Sequence, residues 1–141
     1  MKYTRATFLA LMLSALWLTA AEKSGVVAMT CTVSKDEPTF KDALVALTLW
    51  EYDPLLADAS AKPVAKVELR DAAHEPGKES IFKLGLSAKL AKQRKYYVTV
   101  FIYPDNQVDE KRRLYFNDGM QKVFEKGVEE KLSLTLKRVQ R

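Results

Sequence analysis

Three carboxylates stand close together at Glu51, Asp53 and Asp58, inside the phrase LTLWEYDPLLAD at residues 47–58. If this stretch begins as a strand, Glu51 and Asp53 project from the same face, and Asp58 is within reach from the loop that follows Pro54. Carboxylates grouped in this way suit a calcium-type cation, which collects six to eight oxygen ligands. Asp105 and Asp109 would add to the set only if the fold carried them alongside. The plainer reading is a charged strand end that opens a turn before Pro54. A second group, Asp71, His74 and Glu75, holds the one histidine. Its imidazole has the chemistry to ligate a metal or to act as a general base, but beside Pro76-Gly77 it reads as a solvated loop residue. Cys31 shares a strand face with Val27, Met29 and Val33 and reads as a buried small hydrophobe. One His and one Cys exclude a Cys/His zinc cluster and an internal disulfide, and any Ser-His-Asp or Cys-His site has only His74 to draw on. The expectation is no catalytic residue and no cofactor, with Glu51, Asp53 and Asp58 as the alternative metal set.

Such side chains need a scaffold, and the hydrophobic period after residue 24 is two. Val27, Met29, Cys31 and Val33 alternate with smaller or polar residues, as do Val45, Leu47 and Leu49. The same holds for Ala65, Val67 and Leu69, for Phe82, Leu84 and Leu86, and for Leu132, Leu134 and Leu136. Tyr96, Val98, Val100 and Ile102 alternate with Tyr97, Thr99, Phe101 and Tyr103. Residues 112–116 form a weaker strand, and Asn117-Asp118-Gly119 is a hairpin signal before residues 120–124. Residues 54–62 (PLLADASAK) and 87–94 (SAKLAKQR) break the pattern, and each has room for a helical turn. The expected fold is all-β, a single-domain antiparallel β-sandwich of seven or eight strands over residues 22–141.

Trp50 and Tyr52 lie on the strand face opposite Val45, Leu47 and Leu49. Tyr97, Phe101 and Tyr103 lie opposite Val98, Val100 and Ile102. With Leu47, Leu49, Val98 and Val100 in the core, the aromatic set Trp50, Tyr52, Tyr97, Phe101 and Tyr103 shares the outer side. An exposed, contiguous aromatic patch marks a surface for a partner or ligand. The alternative is that Leu55-Leu56 or Leu90, in the two long connections, covers it.

The chain of 141 residues opens with Lys2 and Arg5, an apolar run from residue 8 to 18, and Thr19-Ala20-Ala21. This is the order of a secretory signal peptide, residues 1–21, cleaved after Ala21 or after Ala20. The run is about half of the roughly 20 residues a bilayer crossing needs. A lipoprotein would need a Cys directly after the cut, and Cys31 lies well beyond it, so no lipid anchor is expected. Without Lys2 and Arg5 the 23 basic residues fall to 21 against 18 acidic ones, and the formal net charge drops from +5 to +3. The cations are scattered among acids, unlike a nucleic-acid surface.

The phrase at 47–58, followed by residues 64–69, His74-Glu75-Pro76-Gly77-Lys78, Tyr96-Tyr97-Val98-Thr99 and Lys122-Val123-Phe124-Glu125-Lys126-Gly127, resembles a family of small exported bacterial proteins with no assigned function. Phe82-Lys83-Leu84 and Tyr97-Val98-Thr99-Val100 are similar in order to the pilotin-like and lipoprotein-chaperone β-sandwich family of type III secretion, whose members are usually lipid-anchored. Thr30-Cys31-Thr32 and Leu49-Trp50-Glu51-Tyr52-Asp53 resemble the opening strands of the secreted transthyretin-like family, but that family's second Cys and its Asp-x-x-Gly-x-Phe turn are missing. The last two resemblances imply a sandwich that binds and does no chemistry. The sequence thus predicts an exported, soluble, periplasmic or extracellular module of the cell envelope, partnered by a protein or envelope component. A divalent-metal-dependent binder or enzyme built on Asp53, Asp58 and His74 is the alternative.

Overall fold

The computed structural model describes residues 23–141. The signal-peptide expectation and the domain start at residue 22 lie outside that range. Among the described residues nine strands form in chain order: β1 (Lys23–Val33), β2 (Phe40–Tyr52), β3 (Lys62–His74), β4 (Ser80–Leu90), β5 (Lys95–Tyr103), β6 (Tyr115–Phe116), β7 (Gln121–Val123), β8 (Glu129–Thr135) and β9 (Lys137–Arg138). A single 3₁₀ turn, Pro104–Asn106, follows β5. One sheet has the order β4-β1-β8. The other runs β3-β2-β5-β6-β9, with β7 also on β5. The all-β sandwich is as the sequence predicts, but with nine strands among the described residues rather than seven or eight, because β6 and β9 are two-residue ladders too short to leave an alternation, and with one departure from antiparallel pairing. β8 runs parallel to β1, Met29 opposite Leu132, because it arrives from β7 in the other sheet rather than through a hairpin.

The period-two residues explain the layers. Val27, Met29, Cys31 and Val33 from β1 and Phe82, Leu84 and Leu86 from β4 meet Val45, Leu47 and Leu49 from β2 and Val98, Val100 and Ile102 from β5 in one core. Leu47, Leu49, Val98 and Val100 are all fully buried, as expected. Burying a Val or Leu side chain contributes about 1.5–3 kcal/mol, so these rows dominate the fold.

Three connections differ from expectation. Residues 54–59 make plain turns, with Leu56 N–H donating to the Asp53 carbonyl (3.2 Å) and Ala59 N–H to that of Leu56 (3.2 Å), and no helix. Residues 87–90 are strand, since β1 offers a pairing edge as far as Lys23, opposite Leu90. Asn117-Asp118-Gly119 turns, but not into a hairpin. β6 and β7 both pair with β5, at Phe101 and at Val98 respectively, and so lie end to end along one edge. Asn117 fills the gap: its Oδ1 accepts from Val100 N–H (2.8 Å) and its Nδ2 donates to the Val98 carbonyl (3.4 Å). A hairpin needs two strands that bond each other, and here the edge of β5 outcompetes that arrangement.

Candidate binding site

β2 and β5 are antiparallel neighbours with Trp50 opposite Tyr97, which brings the predicted aromatics onto one outer face. The Trp50 and Tyr97 rings stack, 6.2 Å between centroids and 11° between planes, and Tyr52 tilts against Tyr97 at 5.9 Å. Trp50 Nε1–H donates to Thr99 Oγ1 (2.9 Å). All three rings are half-buried. Pro63 of β3 flanks Trp50, and Lys122 of β7 flanks Tyr97. The row across the sheet is therefore Pro63, Trp50, Tyr97, Lys122.

The expectation of one continuous aromatic platform is corrected. Thr48 and Thr99 pair across the ladder and interrupt it. Beyond them Phe101 and Tyr103 join Leu44 and Ala46 in a second, separate cluster, where Tyr103 is 2% exposed. The cover is residues 104–114, not residues 54–62 or 87–94. Tyr103 O–H donates to Glu110 Oε1 (3.1 Å), and the Arg113 guanidinium, paired with Glu110, lies 3.8 Å from the centre of the Phe101 ring. This lid also explains why residues 43–49 of β2 are buried on both faces. Leu55 and Leu56 remain exposed and cover nothing.

At the same sheet end the acids are organised by a cation. Arg94 Nη1 donates to Asp53 Oδ2 (3.0 Å), and its Nε lies 3.7 Å from Glu51 Oε1. Asp53 Oδ1 accepts from Leu55 N–H (2.9 Å), which makes the turn. Glu51 Oε2 accepts from Tyr96 O–H (3.1 Å), and Tyr96 Oη accepts from Ala91 N–H (2.7 Å). Burial pushes the Tyr96 phenol up; the Ala91 contact opposes that and Glu51 adds to it. Of the three acids in the calcium alternative, Glu51 and Asp53 face Arg94, which supplies the positive charge there, while Asp58 stays exposed in its turn. Asp105 pairs with Arg112 (2.9 Å), and Asp109 accepts from Lys111 N–H (3.1 Å). Among the described residues no group of three or more His, Cys, Asp or Glu is placed to hold a metal ion.

His74 is also corrected: it ends β3 and is 1% exposed. Nε2 faces the Glu37 carbonyl (3.1 Å), an acceptor, so Nε2 carries a proton, and Nδ1 lies 2.7 Å from Ser80 Oγ. Phe40 stacks on the ring at 5.7 Å. Asp71 and Glu75 do not join it. Asp71 bonds Asn106, and Glu75 is exposed. Cys31 is buried as expected, and burial pushes its thiol up to about 12.

One feature escapes sequence reasoning. A cleft of about 720 Å³ opens beside the acid–Arg94 bridge, between residues 90–94 and 124–128, floored by Leu90, Tyr96 and Phe124 and edged by Lys23, Lys92 and Lys126. Phe124 sits at φ +60°, in left-handed backbone that bulky residues avoid. Its N–H is held by Glu130 Oε1 (2.8 Å) and its ring meets Tyr96 edge-on at 5.8 Å. A φ of this sign carries no sequence signature in a phenylalanine, so nothing in the chain announces it.

The chain matches no protein-family model and no curated protein. Among solved structures it is similar to an alternative pilotin from the type II secretion system of Vibrio cholerae, at 19% identity and a TM-score of 0.61, over 84% of this chain and 100% of that one. The likeness is one of fold. It falls with the pilotin-like resemblance of the sequence, in type II rather than type III secretion, whereas no family model corresponds to the LWEYDPxLAD phrase.

Proposed function

We propose that this chain is an exported, non-catalytic accessory module of the cell envelope that works by binding a protein partner. The observation that carries the reading is the fold likeness to a secretion-system pilotin along that protein's whole length. Several local features agree with it. The one imidazole is buried with both nitrogens engaged, and the one thiol is buried and held protonated. Cys31 lies in mid-strand, within β1. Among the described residues no helix is long and apolar enough to cross a membrane.

The contact surface in this reading is the Trp50–Tyr97–Tyr52 stack, with Phe101 and Tyr103 beneath the 104–114 lid as its support. Stacked rings offer large area with few rotatable bonds, so little entropy is lost on binding. The test is affinity capture from native cell envelope, with wild-type chain beside Trp50→Ala and Tyr97→Ala. A partner held by wild type and weakened by more than about 1 kcal/mol in each variant is the expected outcome. A partner held equally by all three removes this surface from the reading. Mass spectrometry of the envelope form is expected to begin at Glu22 or Ala21, and a cytoplasmic chain retaining residues 1–18 would contradict export.

A further inference from the structure

β3 is an outer strand of the larger sheet and pairs only with β2 among the described residues. Its pairing is regular from Ala65 to Leu69, opposite Leu49 to Val45. The register slips on either side: Val64 is an extra residue before it, and Arg70-Asp71 carry another after it. Asp71 has φ +57° and is pinned there by Asn106, whose Oδ1 accepts from Asp71 N–H (2.8 Å). The free edge is therefore a straight five-residue segment between two irregularities. Pro63, without an N–H, stands before it.

The inner row of this segment is left incomplete. Leu49, Leu47 and Val45 on β2 are fully buried, while Leu69 beside Val45 is 37% exposed and Ala65 and Val67 are only half-buried. The outer row is charged: Glu68 lies 3.2 Å from Lys66 and 3.7 Å from Arg70, all of them partly exposed. Exposed pairs of this kind contribute little and exchange partners freely.

We infer that β3 is a self-pairing edge, and that a second copy of this chain docks on it antiparallel about a two-fold axis through Val67. That register is self-complementary on both faces. Inside, Val67 meets Val67 of the second copy and Ala65 meets Leu69, which extends the apolar row over the exposed leucine. Outside, Lys66 meets Glu68 twice. At the ends Pro63 falls opposite Asp71, so the two residues that interrupt pairing coincide. Such an isologous contact closes after two chains, and the irregularities at 64 and 70–71 prevent the edge from growing further.

Sedimentation of the purified protein over a micromolar-to-millimolar series tests this. Wild type is expected to show a monomer–dimer equilibrium. Lys66→Glu alone sets Glu against Glu, and Glu68→Lys alone sets Lys against Lys, so each is expected to weaken the dimer about tenfold or more. An equal mixture of the two single variants restores opposite charges at both positions and is expected to dimerise like wild type, as is the double swap Lys66→Glu/Glu68→Lys. Both side chains are exposed, and circular dichroism verifies that each variant keeps its strands. A wild type monomeric throughout, single variants that dimerise normally, or a mixture and double swap that both stay monomeric would each overturn the inference.

Discussion

Asn117 sits between two short strands that share one neighbour, and its carboxamide stands in for a missing backbone unit beside Val98 and Val100. Asn117→Ala strands a buried N–H and weakens a carbonyl contact, which is expected to cost about 1–3 kcal/mol in urea unfolding; a loss below about 0.5 kcal/mol would mean that water replaces it. A second expectation concerns alkaline pH. Folding raises Cys31 from 9.0 to about 12 through burial, and Tyr115 from 10.0 to about 12 through burial and then Glu37. Unfolded, both groups lose their protons near the lower values, so between pH 9.0 and about 12 the folded chain binds more protons and stability falls as pH rises. The urea midpoint is expected to drop across that window, with Cys31→Ala flattening its first part; a constant midpoint would refute the assignment. At this scale the sequence reveals types but not partners. Cys31 is legible because its neighbours alternate with it, whereas His74 is not, since Ser80 and the Glu37 carbonyl come from other segments.

Among the elements, β1 approaches the cleft floor closely at Gly25. A Cβ on Gly25 would lie 2.7 Å from Phe124 Cζ and 2.8 Å from Leu90 Cδ1. Gly25→Ala is therefore expected to cost about 1–3 kcal/mol by overpacking. Phe124→Ala in the same chain should recover part of that loss, a coupling that a double-mutant cycle measures. Additive effects would show that the ring moves aside freely. The long strands were legible, because period-two alternation is a local property of the chain and survives in β1, β2, β4, β5 and β8. The lid at 104–114 was not, since its grip on Tyr103 and Phe101 comes from Glu110 and Arg113, charged residues with no apolar period. Pairing direction was equally hidden, because alternation reads the same in parallel and antiparallel strands.

For the whole molecule the pairing pattern sets the pace of folding. Hairpin-like neighbours such as β2 and β3 are near in sequence, but Val26 pairs with both Ser87 and Glu129. Folds dominated by distant pairs refold in milliseconds to seconds rather than microseconds, and stopped-flow fluorescence of Trp50 is expected to place this chain there; a complete microsecond refolding phase would contradict it. Among the described residues the central strand of the smaller sheet is also the first in chain order. On a ribosome or in a membrane pore that delivers the N-terminus first, β1 emerges with both edges bare. It gains one neighbour when residues 80–90 appear and the other only when residues 129–135 do. The smaller sheet therefore completes only when residues 129–135 reach β1, long after its central strand has been delivered.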